Sequence, residues 1–126
     1  MNIITAIGNP ILNDKLRKME GINIIGKDIQ YQEGIIESLE LRNDIDLIIM
    51  SNSLPEEYGF YKLINKIKEI KDSIEIVVFL EKKDENIENF LASKNIYKIN
   101  YLNEIDFDEF IYTFFDKKGD ILDRNC

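Results

Sequence analysis

An α/β domain with a five-stranded parallel sheet between two layers of helices is the fold this sequence predicts, and three features predict it. Short apolar runs alternate with amphipathic stretches along the chain, the pattern of repeated βαβ units. The runs at 45–50 and 74–80 are apolar on both faces, as central parallel strands are when helices cover each side of the sheet. The connections are short, which suits right-handed crossovers within one domain.

The first strand is the run Ile3, Ile4, Ala6 and Ile7, closed by Gly8-Asn9-Pro10, where the proline can occupy the first helical turn. Ile11, Leu12, Leu16 and Met19 are expected on one face of the first helix, which Gly21 stops. Ile22, Ile24 and Ile25 give a second strand, and a loop through Asp28 leads to a helix with Ile35, Ile36 and Leu39 inward. After the third strand, Phe60, Leu63, Ile64, Ile67 and Ile70 form the clearest amphipathic helix of the chain. The fourth strand covers 74–80, and residues 84–94 read as a short helix carrying Ile87, Phe90 and Leu91. Ile96, Tyr97 and Ile99 give the fifth strand. The last helix starts near Asp106, with Glu109 placed for a capping box, and packs Phe107, Phe110, Ile111, Phe114 and Phe115. Strand order 2-1-3-4-5, the flavodoxin-like arrangement, fits this succession best. The domain is expected to span 1–117, with 118–126 a polar tail or the start of a linker.

Composition narrows the chemistry. The chain has 126 residues, a net charge of −8, no histidine and one cysteine, Cys126. Without histidine there are no Ser-His-Asp triads, imidazole metal sites or His bases. A lone cysteine supplies neither a disulfide framework nor a metal cluster. The acidic balance, with lysines interspersed among acids, disfavours a direct contact with nucleic acid or an anionic membrane. No apolar run approaches the roughly 20 residues needed to cross a bilayer, and a cytoplasmic location is expected.

The most informative segment is residues 46–59, DLIIMSNSLPEEYG. Leu47, Ile48, Ile49 and Met50 form an apolar strand ending at Ser51, followed by Pro55 and Gly59 at successive intervals of four residues. This segment resembles the phosphorylation loop of the response-regulator receiver family, in which the strand ends in an acceptor aspartate. The interval of 30 residues from Ser51 to Glu81 also suits a receiver. The resemblance covers about residues 2–117. It implies, at the carboxyl ends of the strands, two Mg²⁺-binding acids, the acceptor, a Ser or Thr, and a Lys. The matching positions here hold Ile7 and Gly8, Ser51, Glu81 and Asn100, so all five are substituted. Aspartyl phosphorylation needs a carboxylate nucleophile, a cation held by oxygen ligands and a further cation to stabilise the transferred charge. The expected protein is therefore a pseudo-receiver, without enzymatic activity, cofactor or metal.

Two other uses of that edge are open. Asp28, Glu56, Glu57, Glu81 and Asp84 fall on its loops, where a solvated acidic rim is a better expectation than a cation site. Ser51, Asn52 and Ser53 can cap their own loop or hold a small anion, and the acidic neighbours favour capping. The resemblance implies instead a protein-binding face made by the fourth helix, fifth strand and fifth helix, with Phe90, Tyr97 and Tyr101 as interface candidates for a partner or a homodimer. It extends to the amino-terminal receiver-like domains of pilus-localisation relatives of ParA and MinD, so a P-loop ATPase fused beyond residue 126 is expected. The rival readings are a flavodoxin-like domain binding a small ligand or nucleotide, and a response regulator phosphorylated by a non-standard route.

Overall fold

The computed structural model of the chain describes residues 1–55 and 58–116. Its elements run β1 (Asn2–Ala6), α1 (Pro10–Arg17), β2 (Asn23–Ile24), α2 (Gln32–Leu41), β3 (Leu47–Ser51), α3 (Phe60–Ile70), β4 (Glu75–Leu80), α4 (Glu85–Ser93), β5 (Lys98–Tyr101) and α5 (Phe107–Ile111), which passes into a π-helical turn at Tyr112–Asp116. The five strands form one parallel sheet in the order β2-β1-β3-β4-β5, as the flavodoxin-like reading expects.

The strand residues alternate between two cores. Ile48, Met50, Val78 and Leu80 face the layer of α2, α3 and α4, where Ile35, Leu63, Ile64, Ile67 and Leu91 meet them. Leu47, Ile49, Val77 and Phe79 face α1 and α5, where Leu12, Leu16, Phe110 and Ile111 cover them. Every residue of β3 is buried, which is why that strand has no polar face.

Local signals act at the helix starts. The Asn9 side chain accepts the Ile11 amide at 2.9 Å, with Pro10 opening α1. Asp84 accepts the amides of Asn86 and Ile87, and Asp106 those of Asp108 and Glu109. The capping box at α5 is only half made, because the Glu109 side chain does not return to the Asp106 amide among the described residues.

Other expectations need correction. Ile11 and Ile70 are exposed by 49% and 40% instead of packing inward. Leu12 and Leu16, one turn apart, already fill the stripe of the two-turn helix α1, and Ile70 is the last residue of α3. That helix α1 stops at Arg17, before Gly21, and β2 is reduced to two residues. The tail boundary at 117/118 lies outside the described residues.

Candidate functional site

The carboxyl ends of the strands bring Ile7, Gly8, Ser51 and Glu81 to one edge, and Asn100 lies near the end of β5. Ser51 is 1% exposed. Its Oγ accepts the Ser53 amide at 3.0 Å and lies 2.6 Å from the Ser53 hydroxyl. This is loop capping, and it occupies the hydroxyl that would have to attack a phosphoryl donor. Ile7 is buried, and beside it Gly8 has a φ of +79°, a left-handed conformation in which a side chain is strained. A Cβ at Gly8 would stand 3.8 Å from Cδ2 of the buried Leu54. Thus the side chains of Ile7 and Leu54 put hydrocarbon where the receiver pattern has its paired acids.

Asp28 does not belong to a solvated rim. It is 7% exposed, and its Oδ1 accepts the Ile7 amide at 3.1 Å while Oδ2 accepts Gln30 Nε2 at 2.9 Å. The carboxylate therefore ties the loop after β2 to the end of β1. Glu81 is exposed, and its amide donates to Asn52 Oδ1 at 3.0 Å, joining the loop after β3 to that after β4. The described residues contain no group of three or more acidic or cysteine side chains able to hold a metal ion. Glu56 and Glu57 lie outside the described residues.

On the side of the sheet that ends in β5, Tyr101 donates its phenolic O–H to Glu88 Oε1 at 2.7 Å, and Lys83 reaches the other Glu88 oxygen at 3.4 Å. The bond fastens α4 to β5. The hydrogen bond from Tyr101, helped by Lys83, holds the Glu88 carboxyl below the usual carboxylate range. Bonding to Glu88 also raises the Tyr101 phenol. Tyr97 is 70% exposed. Tyr97 and Tyr101 line a shared groove with Phe110 and Phe114. Phe90 is turned elsewhere: its ring stacks on Tyr61 of α3 with centroids 4.2 Å apart.

Some polar ties carried no signal in the sequence. The buried Asn13 donates to Thr5 Oγ1 at 2.9 Å and accepts Arg17 Nε at 2.9 Å, anchoring α1 to β1. Gln32, also buried, accepts the Tyr58 amide at 2.9 Å across 26 residues. Asparagine and glutamine in a helix pattern read as surface until their partners are known.

The sheet order and layering define a flavodoxin-like fold. No family model matches the chain, and no curated protein does. Solved structures do match it. A structure of the RcsB response regulator of Salmonella typhimurium is 27% identical, with a TM-score of 0.69, covering 82% of this chain and 54% of that one. The non-phosphorylated receiver domain of RcsB from Escherichia coli is 26% identical, with a TM-score of 0.65 and 76% of each chain covered. A structure of two RcsB dimers bound to two parallel DNAs gives 25% identity and a TM-score of 0.75 over 94% of this chain and 61% of that one. The chain thus has the fold of a response-regulator receiver domain and spans about half the length of the first of these relatives. No helix among the described residues is long and apolar enough to cross a membrane.

Proposed function

We propose that this chain is a phosphorylation-independent pseudo-receiver, a signalling or localisation module that acts by binding proteins and performs no catalysis. The observation that carries the reading is the state of the strand-end edge. Ser51 is buried with its hydroxyl bonded to Ser53, and Ile7, Gly8 and Leu54 present no ligand for a cation. Phosphoryl transfer is largely electrostatic stabilisation of negative charge, and an edge with hydrocarbon at the metal position and Asn100 at the lysine position supplies little of it. The likeness to response regulators supports a signalling role.

The binding face is the surface of α4, β5 and α5, where Tyr97 is exposed and Tyr101 half-buried. The relatives it matches are longer than the matched part, which supports a place as the regulatory domain of a larger protein. An ATPase of the ParA and MinD type is the effector favoured by the sequence resemblance.

Incubation with acetyl phosphate, or with beryllofluoride and Mg²⁺, tests the reading. Intact mass and amide NMR shifts are expected to stay unchanged. A stable adduct on Ser51, or Mg²⁺-dependent shifts around Ser51 and Glu81, would overturn it. In sedimentation of the chain with a protein that binds it, Tyr101→Glu is expected to weaken the complex while Ser51→Asp leaves it nearly intact, and the reverse ranking would reject the assigned face.

A further inference from the structure

The outer edge of β5 offers recognition through its backbone. Among the described residues β5 closes the sheet and pairs only with β4. The Leu102 amide donates to the Leu80 carbonyl at 2.8 Å, so by the two-residue alternation of a strand Asn100 and Lys98 also turn their backbone groups toward β4. Ile99 and Tyr101 therefore turn theirs outward. The Tyr101 carbonyl is taken by the Glu104 amide at 3.1 Å. The N–H and C=O of Ile99 and the N–H of Tyr101 have no protein partner among the described residues.

A groove of about 600 Å³ follows this edge. Residues 97–101 all line it, and because consecutive strand residues point to opposite faces, a groove touching all five tracks the edge itself. Phe110, Thr113 and Phe114 form its far wall. Its rim is acidic. Glu104 and Glu109 are exposed and have no ion-pair partner among the described residues. The one basic residue of the lining, Lys98, is engaged by Glu75 and stands 4.7 Å over the Phe114 ring.

We propose that this groove binds an extended segment of another protein bearing lysine or arginine, which adds to β5 as a sixth strand and places an apolar side chain between Tyr97 and Phe114. The inference rests on the reading that the module works by protein binding at this face, and it adds the chemistry of the occupant. Charge complementarity selects that occupant. A second copy would bring its own Glu104 and Glu109 to the same rim, in a chain whose net charge is −8.

The test is titration of the ¹⁵N-labelled full chain at low salt with a capped peptide of alternating lysine and valine, compared with its glutamate-valine and lysine-proline counterparts. The lysine-valine peptide is expected to shift the Ile99 and Tyr101 amides and to slow their hydrogen exchange, leaving the already bonded Asn100 amide unchanged. The other two peptides should bind at least roughly tenfold more weakly, the first by charge repulsion and the second because proline removes donors. The double variant Glu104→Lys, Glu109→Lys, altered only at exposed positions, should lose roughly two- to thirtyfold in affinity, the range of two exposed ion pairs. Equal binding of the lysine and glutamate peptides, or shifts confined to other surfaces, would overturn the proposal. So would protection of Ile99 and Tyr101 without peptide, whether by a second copy seen in sedimentation or by residues 117–126 seen in NOEs. Failure of the peptide with Tyr101→Glu still weakening association removes this inference and leaves the binding face. Shifts induced by beryllofluoride and Mg²⁺ remove the pseudo-receiver reading whatever the peptide does.

Discussion

Phe79 is expected to hold α5 in place, and its replacement should loosen that helix selectively. The helix Phe107–Ile111 has five residues, far too few to be stable alone. It is held by its Asp106 cap and by a ring cluster around Phe79, which is fully buried in β4. Phe107 stacks on Phe79 at 6.1 Å between centroids, and Phe110 meets it edge-on at 5.0 Å. Removing the ring in Phe79→Ala combines lost transfer energy with a cavity, at a cost of about 3–5 kcal/mol. Two aromatic pairs account for roughly 1–3 kcal/mol of such an interaction. Phe79→Leu keeps an apolar side chain and loses the ring geometry, so a cost of about 1–2 kcal/mol is expected, against a total stability of about 5–15 kcal/mol for a domain of this kind.

The assay is native-state hydrogen exchange read at the Phe110 amide, which bonds to the Asp106 carbonyl at 2.9 Å. Ile64→Val serves as the comparison, because Ile64 is fully buried in the opposite core and an Ile→Val change costs about 0.5–1.5 kcal/mol. If α5 opens as a local unit, Phe79→Leu accelerates exchange at Phe110 by roughly 5- to 30-fold, while Ile64→Val leaves it unchanged and accelerates only globally exchanging amides of β3. Equal acceleration at Phe110 by both variants would show that α5 opens only with the whole domain. A loss below about 1 kcal/mol in Phe79→Ala, measured by urea denaturation, would refute the ring cluster as the anchor.

Asp28→Ala is expected to cost about 1–3 kcal/mol in urea denaturation, since it strands the Ile7 amide, and an unchanged midpoint would refute that role for the carboxylate. The Tyr101–Glu88 bond makes two pH predictions. The folded pKa of Glu88 is depressed, so its contribution is present at neutral pH and is lost as pH falls through the folded value, below the ordinary carboxylate range. The folded pKa of Tyr101 is raised, so its contribution is complete below the ordinary phenol value and disappears as pH rises through the folded one. Tyr101→Phe should abolish the alkaline dependence and reduce the acidic one, of which Lys83 keeps a part, in the pH profile of thermal stability; a profile unchanged from that of the native chain would rule the bond out as their source.

The residues that announced the fold did so because burial on both faces leaves no alternative reading. The runs 45–50 and 74–80 suit central strands, and in the sheet consecutive strands are neighbours except at β2–β3, where the connection through α2 passes over β1. Positions governed by distant partners were not legible. Ile11 matches a helical stripe as well as Leu12 does, and only the short span of α1 against the sheet decides which is covered. Asp28 looks like any loop acid until the Ile7 amide, 21 residues away, is found beside it. The strand ends were legible to within a residue: β3 closes at Ser51, and β1 stops at Ala6, one residue before Ile7. The closing of that edge by Leu54 and Ser53 was not, since neither residue type signals it.

These ties bear on what the module can do. A ligand shifts a conformational equilibrium only by its differential affinity for the two states. Phosphorylation supplies such a difference through a new charge at the strand ends, and here the Ser51 hydroxyl is already satisfied, while Asn52 joins two of the edge loops and Tyr101 holds α4 to β5. On the proposed reading, with the loops and α4 tied in one arrangement, the energy available for signalling would be that of binding itself. The output would then follow the concentration of a partner at the β5 face, and a variant that weakens this contact tenfold would need tenfold more partner to restore the same occupancy. If the proposed reading holds, this receiver fold would serve as an occupancy sensor, set by how much of the partner is present instead of by a covalent mark.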